Sequence, residues 1–278
     1  MSVVEEATST GQLDILKVLL DEENRSREAA RLWKYDGSYI IMGWRGNDMT
    51  LAVMNGHSDV VRWLFEHTSD RRRNGVGALI CAAGRGNLPI VQLLIPRHPW
   101  IDRHFLANRA ATAGHLELLQ WIVEHVLDGE KNCVRLSGRH LNVNKWLVAS
   151  NLECDAEQAF QEACEEGHLP IVKWLTDYCA STENFFSCAK AENAFYGAVY
   201  NGHLEVVKWL IKRGFSVRRT GDVIYAAARR GHLEVVKYLH TQNFKADHRY
   251  TLEKAAKTGR LALVQWLWTQ FKGDRRLI

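Results

Sequence analysis

Nine times along the chain the same short helix recurs, most fully as Gly231-His232-Leu233-Glu234-Val235-Val236-Lys237-Tyr238-Leu239. The copies start at Gly11, Gly56, Gly86, Gly114, Arg139 (where the glycine is lost), Gly167, Gly202, Gly231 and Gly259. Most starts lie 25 to 35 residues apart, and the first interval is 45. One copy of this length cannot bury its own hydrophobic face, so neighbouring copies must stack. The chain is built to present a surface.

Counted from the glycine, offsets +4, +5 and +8 are apolar in nearly every copy, as in Val60, Val61 and Leu64 or Val206, Val207 and Leu210. That spacing places them on one helix face. Asn144, in the copy that lost its glycine, is the exception and predicts a degenerate, weak repeat at about 128–150. Offset +3 is acidic or proline in seven of the nine copies (among them Asp59, Glu205, Pro89 and Pro170), as suits the first turn of a helix. A second helix lies upstream. Offset −4 is alanine in eight copies, offset −3 is mostly small, and offset −7 is mostly apolar. The glycine between the two helices is expected to end the first in a left-handed conformation.

The run Ala227-Ala228-Arg229-Arg230-Gly231-His232-Leu233-Glu234-Val235-Val236-Lys237 resembles the ankyrin repeat, and the resemblance extends over nearly the whole chain. It implies an all-α, ankyrin-like helical solenoid of about nine helix-turn-helix repeats, a single array over 1–278 with a C-terminal cap at about 250–278. The Thr-Pro-Leu-His opening is missing, and several copies have 28 or 29 residues rather than about 33. Short irregular loops are therefore expected in place of β-hairpin fingers. An insertion at 21–46 contains Asp36-Gly37, a candidate hairpin turn, and 180–190 lengthen another loop with Phe185 and Phe186.

The function classes excluded are several. No run of about 18 apolar residues exists to span a membrane, and the N-terminal residues do not read as a secretory signal. The six cysteines form no metal or disulfide frame, which points to an intracellular, cytoplasmic protein. No phosphate loop, nucleophile elbow or zinc-protease motif is present, so no enzyme and no cofactor are expected. Six histidines fall at +1: His57, His115, His140, His168, His203 and His232. Stacked helices sit about 8–10 Å apart, whereas zinc needs ligands at about 2.0–2.1 Å. A structural role in the turn is expected, and no metal. Trp63, Trp121, Trp146, Trp174, Trp209 and Trp266 share offset +7, and packing against the adjacent repeat is expected of them.

The resemblance also implies where a partner is met: at −13, −12 and −10, and at −2 and −1 on the end of the first helix. The candidates are Arg218, Arg219, Arg229 and Arg230 in the eighth repeat, and Asp155, Glu157, Glu165 and Glu166 in the sixth. Arg73 and Arg85 in the third, beside Arg71 and Arg72, and Tyr200 in the seventh complete the set. The expectation is a monomeric, non-enzymatic module that binds a protein partner, one with both basic and acidic patches, on the concave face. Net charge is only +4, and the alternation of sign along the repeats disfavours a tracking polyanion. Nucleic-acid binding through the arginine-rich third and eighth repeats is the alternative.

Overall fold

The computed structural model describes residues 2–32, 44, 47–67, 74–127, 134–150, 155–181, 188–215 and 220–271. They form seventeen α-helices and one 3-10 turn, with no strand among the described residues. Two compact units divide the chain, Met1–Asn132 and Cys133–Ile278. In the first, helices pair as α1 (Val3–Ser9) with α2 (Leu13–Leu32), α3 (Asp48–Asn55) with α4 (Ser58–His67), α5 (Asn74–Arg85) with α6 (Leu88–Leu94), and α7 (Arg103–Ala113) with α8 (Leu116–His125). The second begins with α9 (Leu141–Ala149). It continues as α10 (Ala156–Glu166) with α11 (Leu169–Ser181), α12 (Cys188–Asn201) with α13 (Leu204–Lys212), α14 (Thr220–Arg230) with α15 (Leu233–Thr241), and α16 (His248–Lys257) with α17 (Leu261–Phe271).

The turn inside each pair repeats atom for atom. Every repeat-start glycine has a positive φ, from 67° at Gly259 to 83° at Gly202. The N–H at +1 then reaches back to the carbonyl of the alanine at −4, as in His57 to Ala52 at 2.9 Å and His232 to Ala227 at 3.0 Å. This is the Schellman closure of a helix end. The alanines at −4 are also buried, because the first helices of successive repeats stack directly on one another: α1, α3, α5 and α7 in one unit, α10, α12, α14 and α16 in the other. A larger side chain at −4 would separate those helices. The core is completed by Leu79, Phe160 and Phe195 at −7 and by the +4, +5 and +8 residues of the second helices. Ala256, at −3 of the ninth repeat, is exposed.

The tryptophans at +7 depart from expectation. Trp63 is buried, but Trp121, Trp146, Trp174, Trp209 and Trp266 are only half-buried. Helix geometry supplies the reason: +7 points about 100° away from the mean direction of +4, +5 and +8. Their ring contacts run across repeats, where His240 of α15 meets Trp266 edge-on at 5.6 Å, and within the helix, four residues on. Trp63 stacks on His67 at 4.9 Å, Trp121 on His125 at 5.4 Å and Trp174 on Tyr178 at 5.6 Å, while the Arg213 guanidinium lies 5.1 Å from the Trp209 ring.

In the degenerate repeat the polar residue at +5 is hydrogen-bonded inside the core. Its described upstream part, residues 134–140, has no first helix. Asn144, fully buried, replaces the missing helix with a two-bond clasp. Its amide nitrogen donates to the Ser137 carbonyl and its carbonyl oxygen accepts from the Ser137 N–H, both at 2.7 Å. Gly138 then lies flat against α10, where a Cβ would come within 2.8 Å of the Ala163 backbone nitrogen.

The 21–46 insertion starts as helix, since α2 continues to Leu32. Trp44 returns to bury its indole, with the N–H donated to the Glu23 carboxylate. The Asp36-Gly37 hairpin, Phe185 and Phe186 lie outside the described residues.

Candidate partner-binding surface

The histidines at +1 decide where the ends of the first helices point. In four of the six, Nε2 lies on a backbone carbonyl of the preceding repeat, in each case that of the residue at −2. The pairs are His57 with Ser9 at 3.0 Å, His115 with Gly84 at 3.1 Å, His203 with Glu165 at 2.8 Å and His232 with Tyr200 at 2.9 Å. A carbonyl can only accept, so Nε2 carries the proton and donates. The same rings rest on the preceding glycine: a Cβ on Gly11, Gly86, Gly167 or Gly202 would collide with Nδ1 of the next histidine. Glycine is thus required both for its φ and for the ring that covers it. Where the next +1 residue is Asn87, the space over Gly56 is open. Where Arg139 replaces glycine, His168 turns aside and sits 3.4 Å from a Glu166 carboxylate oxygen instead.

Two of these clamps orient candidate residues. Tyr200 and Glu165, at −2, have their carbonyls held by His232 and His203. From the seventh repeat onward the surface so fixed is aromatic and basic. Arg230 lies over the Tyr200 ring, 4.1 Å from its centroid, and donates from Nη2 to the Tyr200 hydroxyl at 2.6 Å. Tyr196, one turn earlier on α12, stacks on Tyr200 at 6.0 Å. On α14, Tyr225 meets Tyr250 of α16 edge-on at 4.6 Å, and its hydroxyl accepts from the Asp247 N–H at 2.9 Å. Lys254 covers a face of the Tyr250 ring at 4.4 Å. Tyr196 and Tyr250 are 42% and 41% exposed, and Arg229 is fully at the surface beside them.

Of the proposed residues, Tyr200 and Arg230 are in contact, and Arg229 is exposed next to Arg230 on α14. Arg218, Arg219, Arg71, Arg72 and Arg73 lie outside the described residues. Arg85 is exposed at the end of α5, in the other unit. Tyr196, Tyr225, Tyr250 and Lys254 escape a reading confined to the −13, −12, −10, −2 and −1 offsets. The available signal was tyrosine recurring at −6 (Tyr196, Tyr225), outward from the buried −7 and −4 positions.

The acidic residues are largely committed to the fold. Asp155 caps α10, accepting from the Gln158 N–H at 3.1 Å. The Glu165 carboxylate accepts from Gln161 at 2.8 Å, and its stem lies over Gly197 of α12. Arg139 donates two bonds to Glu166, holding that carboxyl below its usual range. The loss of the repeat glycine thus placed a cation beside Glu166. Glu157 is half-exposed in the first turn of α10.

A family model of ankyrin repeats matches residues 5–104, 49–134, 107–221 and 198–274. The chain belongs to the ankyrin repeat family. No curated protein is similar enough to match it. Ankyrin repeats are in general protein–protein interaction modules and are typically non-enzymatic. In this ankyrin repeat chain no helix among the described residues is long and apolar enough to cross a membrane. No group of three or more His, Cys, Asp or Glu among them could hold a metal ion.

The titratable groups shifted by burial behave as structural parts. Burial pushes up the thiols of Cys81 and Cys164, and that of Cys179 to about 11, so none of these is an activated nucleophile. Burial also lowers His232, more than its bond to Tyr200 raises it, and Arg230, His203 and Arg260 push in the same downward direction. Burial and Arg97 lower His98 likewise. For a histidine lowered in the fold, the unfolded chain binds the proton better, so stability is full above pH about 6.5 and is lost as pH falls through the folded value. Urea midpoints should accordingly decline from pH 7.5 to pH 5. His232→Gln should flatten that decline; an unchanged slope would remove the ring from the account.

Proposed function

We propose that this ankyrin repeat protein is a non-enzymatic intracellular scaffold, a monomer whose repeats form one array over 1–278. Its protein partner is bound on the first-helix side of α12, α14 and α16. The preformed set of Tyr196, Tyr200, Tyr225 and Tyr250 with Arg229, Arg230 and Lys254 carries the reading. Exposed tyrosine and arginine are the residues most often found at the energetic centre of interfaces. Here they are already ordered, by a ring–cation contact and hydroxyl bonds, so little side-chain freedom remains to be lost on binding. A family match at 107–221 that runs across both units supports one continuous array. Three cysteines outside any disulfide fit a reducing compartment.

Because Asp155, Glu165 and Glu166 are engaged internally, the basic end dominates the surface, and the partner needs an acidic patch more than a basic one. Reversal of Arg229 and Arg230 to glutamate should leave the fold nearly intact, within about 0.5 kcal/mol per exposed site. It should slow association with a partner isolated on the unmodified chain by about tenfold at low salt, with a smaller effect at moderate salt. Surface plasmon resonance at two salt concentrations reads both. An unchanged association rate would move the binding surface elsewhere on the chain.

A further inference from the structure

We infer that the tyrosine-and-cation surface recognises a short extended peptide segment of its partner, with a carboxylate side chain set about three residues from an aromatic or aliphatic one. The inference rests on the proposed first-helix surface and adds the chemistry of what it binds. Three observations carry it.

The first is charge. At −2 and −1 the eighth repeat offers Arg229 and Arg230, and α16 adds Arg249 and Lys254 at exposed or half-exposed positions. Arg230 is held by Tyr200 through Nη2, and a guanidinium has five N–H donors in a fork that a carboxylate fits. These cations lie on two successive first helices, α14 and α16, which fits a short acidic segment.

The second is shape. The tyrosines repeat from helix to helix, Tyr196 and Tyr200 on α12, Tyr225 on α14 and Tyr250 on α16. Stacked helices are about 8–10 Å apart, and an extended chain advances about 3.3 Å per residue. One repeat therefore corresponds to about three peptide residues. A segment crossing these helices puts a carboxylate at Arg229 and Arg230 of α14 when an apolar side chain about three residues away reaches Tyr250 of α16.

The third is what the rings leave open. Arg230 covers a face of Tyr200 and Lys254 a face of Tyr250, while Tyr225 stands edge-on to Tyr250. Nucleobases bind single-strand readers by lying flat on aromatic faces. Here a cation already takes one face of Tyr200 and one of Tyr250, which suits a carboxylate beside an aliphatic or aromatic side chain better than a base.

The test is selection of phage-displayed random heptapeptides on the full chain, followed by anisotropy with labelled versions of the selected peptides. Enrichment of Asp or Glu about three positions from an aromatic or aliphatic residue is expected. Those peptides should weaken about tenfold on R229E/R230E and on Y196A. Selection on R229E/R230E should then favour Lys and Arg, an outcome that loss of folding cannot imitate; R229E alone is the milder variant. Peptides that depend on Tyr196 and Tyr250 but show no acidic bias would overturn the inference and leave the proposed surface standing. Selected peptides indifferent to all these substitutions, or no enrichment at all, would overturn both. Tight binding of a thymidine homopolymer, with a steep log-linear salt slope and displacement of the peptides, would replace the inference by nucleic-acid binding.

Discussion

Replacing Asn144 by leucine should destabilise the 133–278 unit by about 3 kcal/mol, although leucine restores the apolar residue that the repeat pattern has at this offset. Leucine is close in size, so the loss is not mainly a cavity. It lies in the Ser137 N–H and carbonyl, which now bond the Asn144 side chain inside the core at 2.7 Å. Each buried group left without a partner costs about 1–3 kcal/mol. Asn144→Asp would keep the acceptor for the Ser137 N–H but set a buried negative charge against the Ser137 carbonyl, and should be at least as costly. Urea denaturation followed by tryptophan fluorescence measures both variants. N144L within 0.5 kcal/mol of the parent would mean that the Ser137 backbone is satisfied by other means.

Gly202→Ala should cost about 2–4 kcal/mol, and Gly214→Ala only about 1 kcal/mol, although their φ angles are 83° and 84°. Both substitutions place a side chain in the left-handed region, a strain of about 1–2 kcal/mol. At Gly214 nothing lies within 4 Å of the added carbon, whereas at Gly202 it collides with the His232 ring. To make room the ring must leave the Tyr200 carbonyl, and the clamp between the seventh and eighth repeats opens. Removing the ring as well tests the coupling. In Gly202→Ala with His232→Ala the two losses should sum to more than the double variant shows. Equal costs at Gly202 and Gly214 would reduce the histidine to a bystander.

The repeat itself was legible because its signals are local. Glycine at a helix end, alanine at −4 and the +4, +5, +8 face each follow from backbone geometry and burial within one copy. The histidines were harder: their offset was plain, but their bonds run to the preceding repeat, and no single copy shows them. The tryptophans at +7 were misjudged on burial, although the helical angle alone separates +7 from the core-facing direction. Asn144 looked like a defect for a similar reason, since its partner, the Ser137 backbone, lies in a segment with no helical pattern to read. At the candidate surface Tyr200, Arg229 and Arg230 were found through offsets, while Tyr225 and Tyr250 meet only across adjacent helices. Glu166 had the right offset, yet its neighbour Arg139 claims it. Charge read from a single repeat does not reveal such pairing.

The central claim is that a protein partner is held on the first helices of the second unit. Hydrogen exchange of the purified chain, alone and with a partner recovered by affinity capture, addresses it directly. Slowed exchange concentrated in the C-terminal turns of α12 and α14 and in the first turns of α16 is the result expected. Protection confined to α11, α13 and α15, or to the Met1–Asn132 unit, would contradict the account.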